Sequence, residues 1–274
     1  MALLVFTDLD GTLLDHHTYS FTAALPSIAQ CQQKHIPIII NTSKSFVEVV
    51  DIQAQLGLND PFIVENGAAI YFPKQAQFAH LGLPEVDNYW VKVLGQPRQQ
   101  WINLLEQVKP KWGQYFSHFA ALSVAEVQAL TGLNTTQATQ AKQREFGEPV
   151  HWRGTAAQLD TFISELVELG ASPIMGGRFL HVCGATNKGM AITWLTTALA
   201  EHSSLPITTI GLGDGKNDID MLETVDWAVQ IKSPAYSFPP LQRQHNVIQT
   251  QGYGPAGWHE ALQFLFSNTT ILAR

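Results

Sequence analysis

The chain has 274 residues, 45% apolar and 14% charged, a balance that excludes a disordered chain and permits one large domain or two moderate ones. Its formal net charge of −7, with no run of Lys or Arg, argues against a nucleic acid partner and leaves room for a small anion only where positive charge is focused. Cys31 and Cys183 stand far apart without CxxC or Cys/His spacing, so two buried thiols are expected rather than a disulfide framework or a zinc site. The opening MALLVFTDLDG lacks a basic leader and no apolar stretch reaches the length of a membrane span; the expectation is a cytoplasmic protein without a membrane partner. Oligomeric state has no signature in the sequence.

Residues 2–7 form a short apolar run that stops at Asp8, the pattern of a buried parallel strand entering a polar loop. A helix is predicted over 22–34 and a strand over 36–40, ending in Asn41-Thr42-Ser43-Lys44. A second helix over 46–56 leads to a strand at 62–64, the turn Glu65-Asn66-Gly67 and a hairpin partner over 68–72. Between about Pro84 and Cys183 the texture changes: residues 90–94 and 179–182 are strand-like, and helices are predicted over 99–112, 124–131 and 156–169. The first pattern then returns, with a helix from Lys188 to about Glu201, a strand over 207–212 ending in Gly213-Asp214-Gly215, a helix starting over 218–223 and a short strand at 227–229. This alternation implies an α/β core, a parallel sheet with helices on both faces. The core is expected to comprise residues 1–83 and 184–274, with an α+β cap inserted over 84–183 between Gly- and Pro-marked linkers.

In an open parallel sheet the ligand site lies beyond the carboxyl ends of the strands, and four polar clusters fall at such ends: 8–12, 42–44, 65–67 and 214–218. Two of them are acidic. Gathered carboxylates are costly without a cation, and Mg²⁺, a hard ion that accepts a few carboxylates together with a phosphate, is the expected cofactor. Its expected ligands are Asp8, Asp214 and the backbone carbonyl of Asp10. Asn217 and Asp218 are expected to orient Lys188 or waters around the metal. In Asp8-Leu9-Asp10-Gly11-Thr12 one carboxylate can meet a phosphorus atom and the other the leaving oxygen, giving a nucleophile and a general acid/base. The alternative is an Asx turn or helix cap at a strand end.

Asp8 to Thr12, Thr42, Lys188 and Gly213 to Asp218 follow in the order of the four motifs of the haloacid dehalogenase superfamily, which the chain resembles. The resemblance implies a Rossmannoid core with a cap, and Mg²⁺-dependent phosphoryl transfer. By it Asp8 attacks phosphorus, Asp10 protonates the leaving alkoxide and then activates water, and Thr42 and Lys188 hold the phosphoryl oxygens. An insertion of this size between the second and third motifs is similar to the Cof-type branch, which acts on phosphorylated sugars and related metabolites.

Asn41 to Lys44, Phe62 to Gly67, Arg144 to Pro149 and Gly176 to His181 further resemble the mannosyl-3-phosphoglycerate phosphatase family. The implied substrate is a small glycosyl phosphoglycerate, mannosyl or glucosyl. For such a ligand Arg178 is expected to grip the carboxylate, backed by Gly176 and Gly177, with Arg144 a second candidate. Glu148 is expected to accept from sugar hydroxyls, Ser43 and Lys44 to read the substrate side of the phosphate, and Asn66 to join the contacts from its turn. His181 is expected to be a packed strand residue rather than a ligand. A broader sugar phosphatase, a phosphosugar mutase and a phospho-ligand sensor are the competing readings.

Overall fold

The computed structural model describes residues 2–74, 81–201 and 205–268. In chain order the strands are β1 (Ala2–Thr7), β2 (Ile38–Asn41), β3 (Phe62–Val64), β4 (Ala69–Pro73), β5 (Glu85–Val86), β6 (Tyr89–Val93), β7 (Phe116–His118), β8 (Glu148–Trp152), β9 (Ile174–Met175), β10 (Leu180–Val182), β11 (Ile207–Gly213), β12 (Trp227–Lys232) and β13 (Val247–Tyr253). The helices are α1 (Leu25–Gln33), α2 (Phe46–Leu56), α3 (Arg98–Trp112), α4 (Val124–Thr131), α5 (Thr135–Lys142), α6 (Ala156–Glu168), α7 (Lys188–Ala200), α8 (Ile219–Thr224) and α9 (Gly254–Ser267).

The larger sheet runs β13-β12-β11-β1-β2-β3-β4-β6-β5. From β13 to β3 the neighbours are parallel, and β4, β6 and β5 extend the sheet by antiparallel pairing. Side chains on a strand alternate between faces, so each strand feeds two cores. Val5, Ile38, Ile40 and Phe62 face helices α1, α2 and α9, where Ile28, Val49, Trp258 and Leu262 cover them. Leu4, Phe6, Ile39 and Ile63 face α7 and α8, meeting Ile192, Leu195, Met221 and Leu222. Helix α2 illustrates how local sequence sets bounds. At its start the Glu48 carboxylate accepts from Ser45 N and Oγ at 2.8 Å each, and at its end Gly57 takes the left-handed conformation, φ 65°. Such caps are worth about 1 kcal/mol.

The inserted cap has its own antiparallel sheet, β7-β8-β10-β9. Helices α3 and α6 cover it through Trp101, Leu105, Val108, Phe162 and Leu166. Phe162 is fully buried, and truncating it to Ala would cost about 3–5 kcal/mol. A smaller cluster of Phe119, Val127, Ala138 and Ala141 joins α4 to α5 at the edge nearest the core.

One expected boundary is corrected. Residues 90–94 do not open the cap: β6 pairs with β4 from Ala69↔Val93 to Pro73↔Tyr89 and so extends the core sheet. The strand itself was legible, but a half-buried strand does not announce its partner, and the open edge of β4 is the one it satisfies. We infer that the cap begins near Gly95 rather than at residue 84. There the amides of Leu94 and Gly95 both donate to Ala68 O at 2.8 Å, and a Cβ on Gly95 would lie 2.8 Å from that of Ala68.

Candidate active site

The loops after β1, β2, β3 and β11 converge beside the cap. Asp8 continues the β1 ladder, its amide donating to Leu212 O at 2.9 Å. Gly11 turns the chain at φ 79°, where a Cβ would sit 2.5 Å from Asp214 Oδ2, so this close approach of the two acidic loops requires glycine. Thr12 Oγ1 donates to Asp214 Oδ1 at 3.3 Å, and the Tyr236 hydroxyl donates to Oδ2 at 2.7 Å. Lys188 stands at the first position of α7, which Asn187 caps by accepting from Met190 N at 2.8 Å. A cation at a helix N-terminus is disfavoured by the helix dipole. Two carboxylates offset it: Nζ donates to Asp8 Oδ1 and to Asp218 Oδ1, each at 2.6 Å.

Lys188 and Asp218 are fully buried and Asp8 nearly so. Burial opposes the charge on Lys188, but Asp218 and Asp8 override it and hold the ammonium above its ordinary range. Asp8 is pushed up to about 8 by burial, against the pull of Lys188 and with the repulsion of Asp218, Asp214 and Asp10. Burial and Asp218 raise Asp214 to about 7. Asp8, Asp214 and Asp218 bring carboxylate oxygens within 4.8 Å of one another. With all three ionised, as a bound cation would require, three negative charges against the single charge of Lys188 leave an excess of two, and the donors are hard oxygens, so the residues fit a divalent Mg²⁺. Asp218 is already committed, since its Oδ2 accepts from Asp214 N at 3.0 Å and Gly215 N at 2.9 Å. The Asp10 side chain stands outside the triad and pairs with Lys44 at 2.8 Å. Burial opposes the Lys44 charge as well, and Asp10 and Glu48 keep it high.

A cavity of about 440 Å³ opens between core and cap. Asp8, Asp10, Ser43, Lys44, Asp214 and Asn217 line it from the core; Arg144, Gly176, Gly177 and Arg178 line it from the cap. Thr42 is buried behind this wall, its hydroxyl accepting from Lys44 N at 3.3 Å. Lys188 is behind it too. Asn66 is buried and does not line the cavity; its amide donates to Thr42 O at 2.9 Å. Arg178 spends Nη1 on Thr131 O at 2.7 Å and is otherwise exposed. A Cβ on Gly176 would touch His181 at 3.0 Å, whereas one on Gly177 would meet nothing, so close approach explains only the first glycine.

Glu148 is corrected outright. It is fully buried and turned away from the cavity, accepting from Arg98 Nε at 2.5 Å and Ala120 N at 2.6 Å and bonded to His118 Nδ1 at 2.8 Å. Burial raises its pKa, but His118 and Arg98 outweigh that and leave it below the ordinary range. Its partners lie 28 to 50 residues away, beyond the reach of local pattern. His181 does line the cavity, and burial together with Arg144 and Lys188 drives its pKa down to about 3, so the ring is neutral. Glu65 falls in the expected 65–67 cluster but without a role of its own, and Tyr236 falls in no expected cluster. Glu65 had a signal in its turn, Glu-Asn-Gly at a strand end; Tyr236 had none.

A sequence profile of the haloacid dehalogenase-like hydrolases matches residues 5–98. A glucosyl-3-phosphoglycerate/mannosyl-3-phosphoglycerate phosphatase of Persephonella marina is 35% identical over 265 residues, covering 95% of this chain and 96% of its own. The chain belongs to the haloacid dehalogenase-like hydrolases. A protein of the same name from Methanococcoides burtonii is 34% identical to this hydrolase over 266 residues, 97% of each chain. In architecture the hydrolase is similar to the sucrose-phosphatase of Synechocystis solved with sucrose and phosphate, at a TM-score of 0.59 and 18% identity, over 97% of this chain and 99% of that one. Its activity class is that of a phosphoric monoester hydrolase. Among the described residues no helix is long and apolar enough to cross a membrane.

Proposed function

We propose that this hydrolase is a Mg²⁺-dependent phosphatase that releases inorganic phosphate from a glucosyl- or mannosyl-3-phosphoglycerate. The full-length relatives named for that activity carry the reading. The charge pattern of the cavity supports it. Asp8, Asp214 and the backbone carbonyl of Asp10 would hold the metal, which would supply positive charge to offset the repulsion of carboxylate and phosphate.

Lys188 fixes Asp8 through Oδ1, leaving Oδ2 to attack phosphorus. The phosphorus–oxygen bond to the glycerate breaks, and Asp10 delivers a proton to the departing oxygen. Asp10 then takes a proton from the water that attacks the aspartyl phosphate, which restores Asp8 and frees phosphate. Lys44 sits on Asp10 in the free protein and must turn to a substrate anion before Asp10 can meet the departing oxygen. Arg144 and Arg178 supply positive charge for the glycerate carboxylate, and Phe119 and Phe179, with ring centroids 5.0 Å apart, give the sugar an apolar wall.

The test is phosphate release from mannosyl-3-phosphoglycerate, glucosyl-3-phosphoglycerate, 3-phosphoglycerate and simple hexose phosphates, with Mg²⁺ and then with EDTA. A Mg²⁺-dependent preference for a glycosyl phosphoglycerate is expected. Comparable weak release across the panel replaces this reading with a broad sugar phosphatase, and no release at all refutes it.

A further inference from the structure

Glu65 is a buried carboxylate that the chemistry above does not use. It opens the turn after β3 in the left-handed region, φ 48°, followed by Asn66 at 57° and Gly67 at 91°. The turn is pinned to the loop that carries Thr42 and Lys44, since Glu65 N donates to Lys44 O at 3.0 Å and Asn66 N to Thr42 O at 2.9 Å. The side chain then crosses to the cap. It accepts from three successive backbone amides: Glu145 N at 2.8 Å on Oε1, and Phe146 N at 3.2 Å and Gly147 N at 2.7 Å on Oε2. Such a run of amides is an anion nest.

Arg144 immediately precedes the nest. Its Nε lies 3.5 Å from Glu65 Oε2 and donates to Gly147 O at 3.3 Å, while Nη2 donates to Ser43 O at 2.6 Å. The guanidinium is thereby held from the cap, from the core and by Glu65 at once. Nη1 has no hydrogen-bond partner among the described residues, and Arg144 lines the cavity. Arginine side chains carry large rotamer freedom, and one fixed before the ligand arrives loses little more on binding. Both Glu65 and the nest are satisfied only while the cap lies against the core. Separated, the buried acid and the three amides must be rehydrated.

We propose that Glu65 is a positioning residue: it locks the 144–147 turn of the cap onto the core and so aims Arg144 at the second anionic group of the substrate. Preference for carboxylate-bearing phosphomonoesters then passes through a side chain that never touches them. The inference rests on the proposed substrate class in that the anion met by Arg144 is the glycerate carboxylate.

The test compares Glu65→Gln, Arg144→Ala and the double variant on glucosyl-3-phosphoglycerate and on p-nitrophenyl phosphate, which has no carboxylate. Glu65→Gln keeps the shape, removes the charge and turns an NH₂ towards the amides. The ratio of kcat/KM on the two substrates is expected to fall about 10- to 100-fold, the worth of a charge-assisted hydrogen bond, and mainly through KM. The double variant is expected to lose no more preference than Arg144→Ala alone, because one residue acts through the other. Equal losses on both substrates, or losses that multiply in the double variant, overturn the proposal. Hydrogen exchange at the amides of 145–147 reads the lock without substrate: protection is expected to drop about 10-fold or more in Glu65→Gln, and unchanged protection overturns the proposal whatever the substrate. If the Gln variant fails to fold, Glu65→Asp enters the same comparisons, with a smaller loss of preference expected and an undiminished preference refuting. A parent enzyme without preference for carboxylate-bearing substrates defeats the proposed function; a parent with that preference, intact in Glu65→Gln, defeats only this inference.

Discussion

Replacing Lys188 by Met interrogates the charge balance on which the site depends. The ammonium makes two contacts of 2.6 Å, with its own side chain and that of Asp218 fully buried and that of Asp8 8% exposed, so solvent screening gives almost no discount. Breaking a buried pair by removing one partner costs about 3–5 kcal/mol, and Met fills most of the vacated volume, so the loss is electrostatic. The sign with pH follows from Asp8. Its pKa in the folded protein, about 8, lies above the ordinary value of 3.8; its protonation therefore favours the fold fully below 3.8, and that contribution is lost as the pH rises through 8. Lys188 pulls this pKa down, so its removal pushes Asp8 higher still; at pH 6 Asp8 is already protonated in the parent and loses little when the cation goes, whereas at pH 9 the parent carboxylate is charged. The penalty is expected to be greatest near pH 9 and smaller at pH 6. Urea denaturation in EDTA reads it directly: at about 3 kcal/mol per molar urea, the midpoint at pH 9 falls by about 1–1.7 M. An unchanged midpoint at pH 9, or a penalty that grows towards pH 6, would refute the reasoning.

Asp8→Asn is expected to reduce phosphate release about 10³-fold or more while the circular dichroism spectrum stays that of the parent; residual turnover above about 1% removes the phosphoenzyme route. Protons compete with Mg²⁺ at Asp8 and Asp214, raised by burial to about 8 and about 7, so affinity measured by calorimetry is expected to weaken about 10-fold or more from pH 8.5 to 6.5, with protons released on binding. An affinity independent of pH contradicts that. Gly67→Ala places a Cβ 2.1 Å from Asn187 O at a φ of 91°; about 3 kcal/mol or more of stability should go, and a parent-like thermal unfolding curve would show that the turn relaxes without cost. Arg178→Ala, already half engaged with Thr131 O, should lower kcat/KM for a phosphoglycerate ester only several-fold while sparing p-nitrophenyl phosphate, and equal losses on the two substrates sink its role.

The sequence made the floor of the site legible because its residues sit at chain positions with local meaning. Asp8 ends an apolar strand, Lys188 opens a helix, and the helices at 46–56 and 124–131 carry Ser, Glu and Gly where caps belong. What escaped is what depends on distant partners. Glu148 looked like a free acceptor until folding brought Arg98 and His118 to it. The strand at Tyr89–Val93 could be seen, but not that β4 would claim it. Helix α9, absent from the elements predicted above, has a local signature all the same: proline belongs in a first helical turn, and Trp258, Ala261, Leu262 and Leu265 recur at helical spacing on its buried face. The partner choice of Tyr236 followed from nothing local, since its loop reaches Asp214 across 22 residues.

The acids of the cavity share one origin while its cations come from both sides, Lys44 from the core, and under the proposed function that placement would let one fold separate turnover from preference. All the acids of the wall, Asp8, Asp10, Glu48 and Asp214, come from the core, whereas the cap contributes Arg144, Arg178 and no acid. Under the proposed function the phosphate chemistry rests on the core, where the acid cluster matches a metal and Lys188 holds Asp8. The cap adds positive charge at a distance set by how it seats. A chain of net charge −7 does not draw an anion by its long-range field, so recognition must come from contact with cations buried beside the acids, which salt screens weakly. On the proposed reading an ester whose far end is neutral would meet the same floor and leave Arg144 Nη1 unused, whereas an ester with a carboxylate would engage both. If Glu65 and Arg144 act as proposed, discrimination belongs to the seam between core and cap where they meet, and changes there are expected to alter which ester is hydrolysed before they alter how.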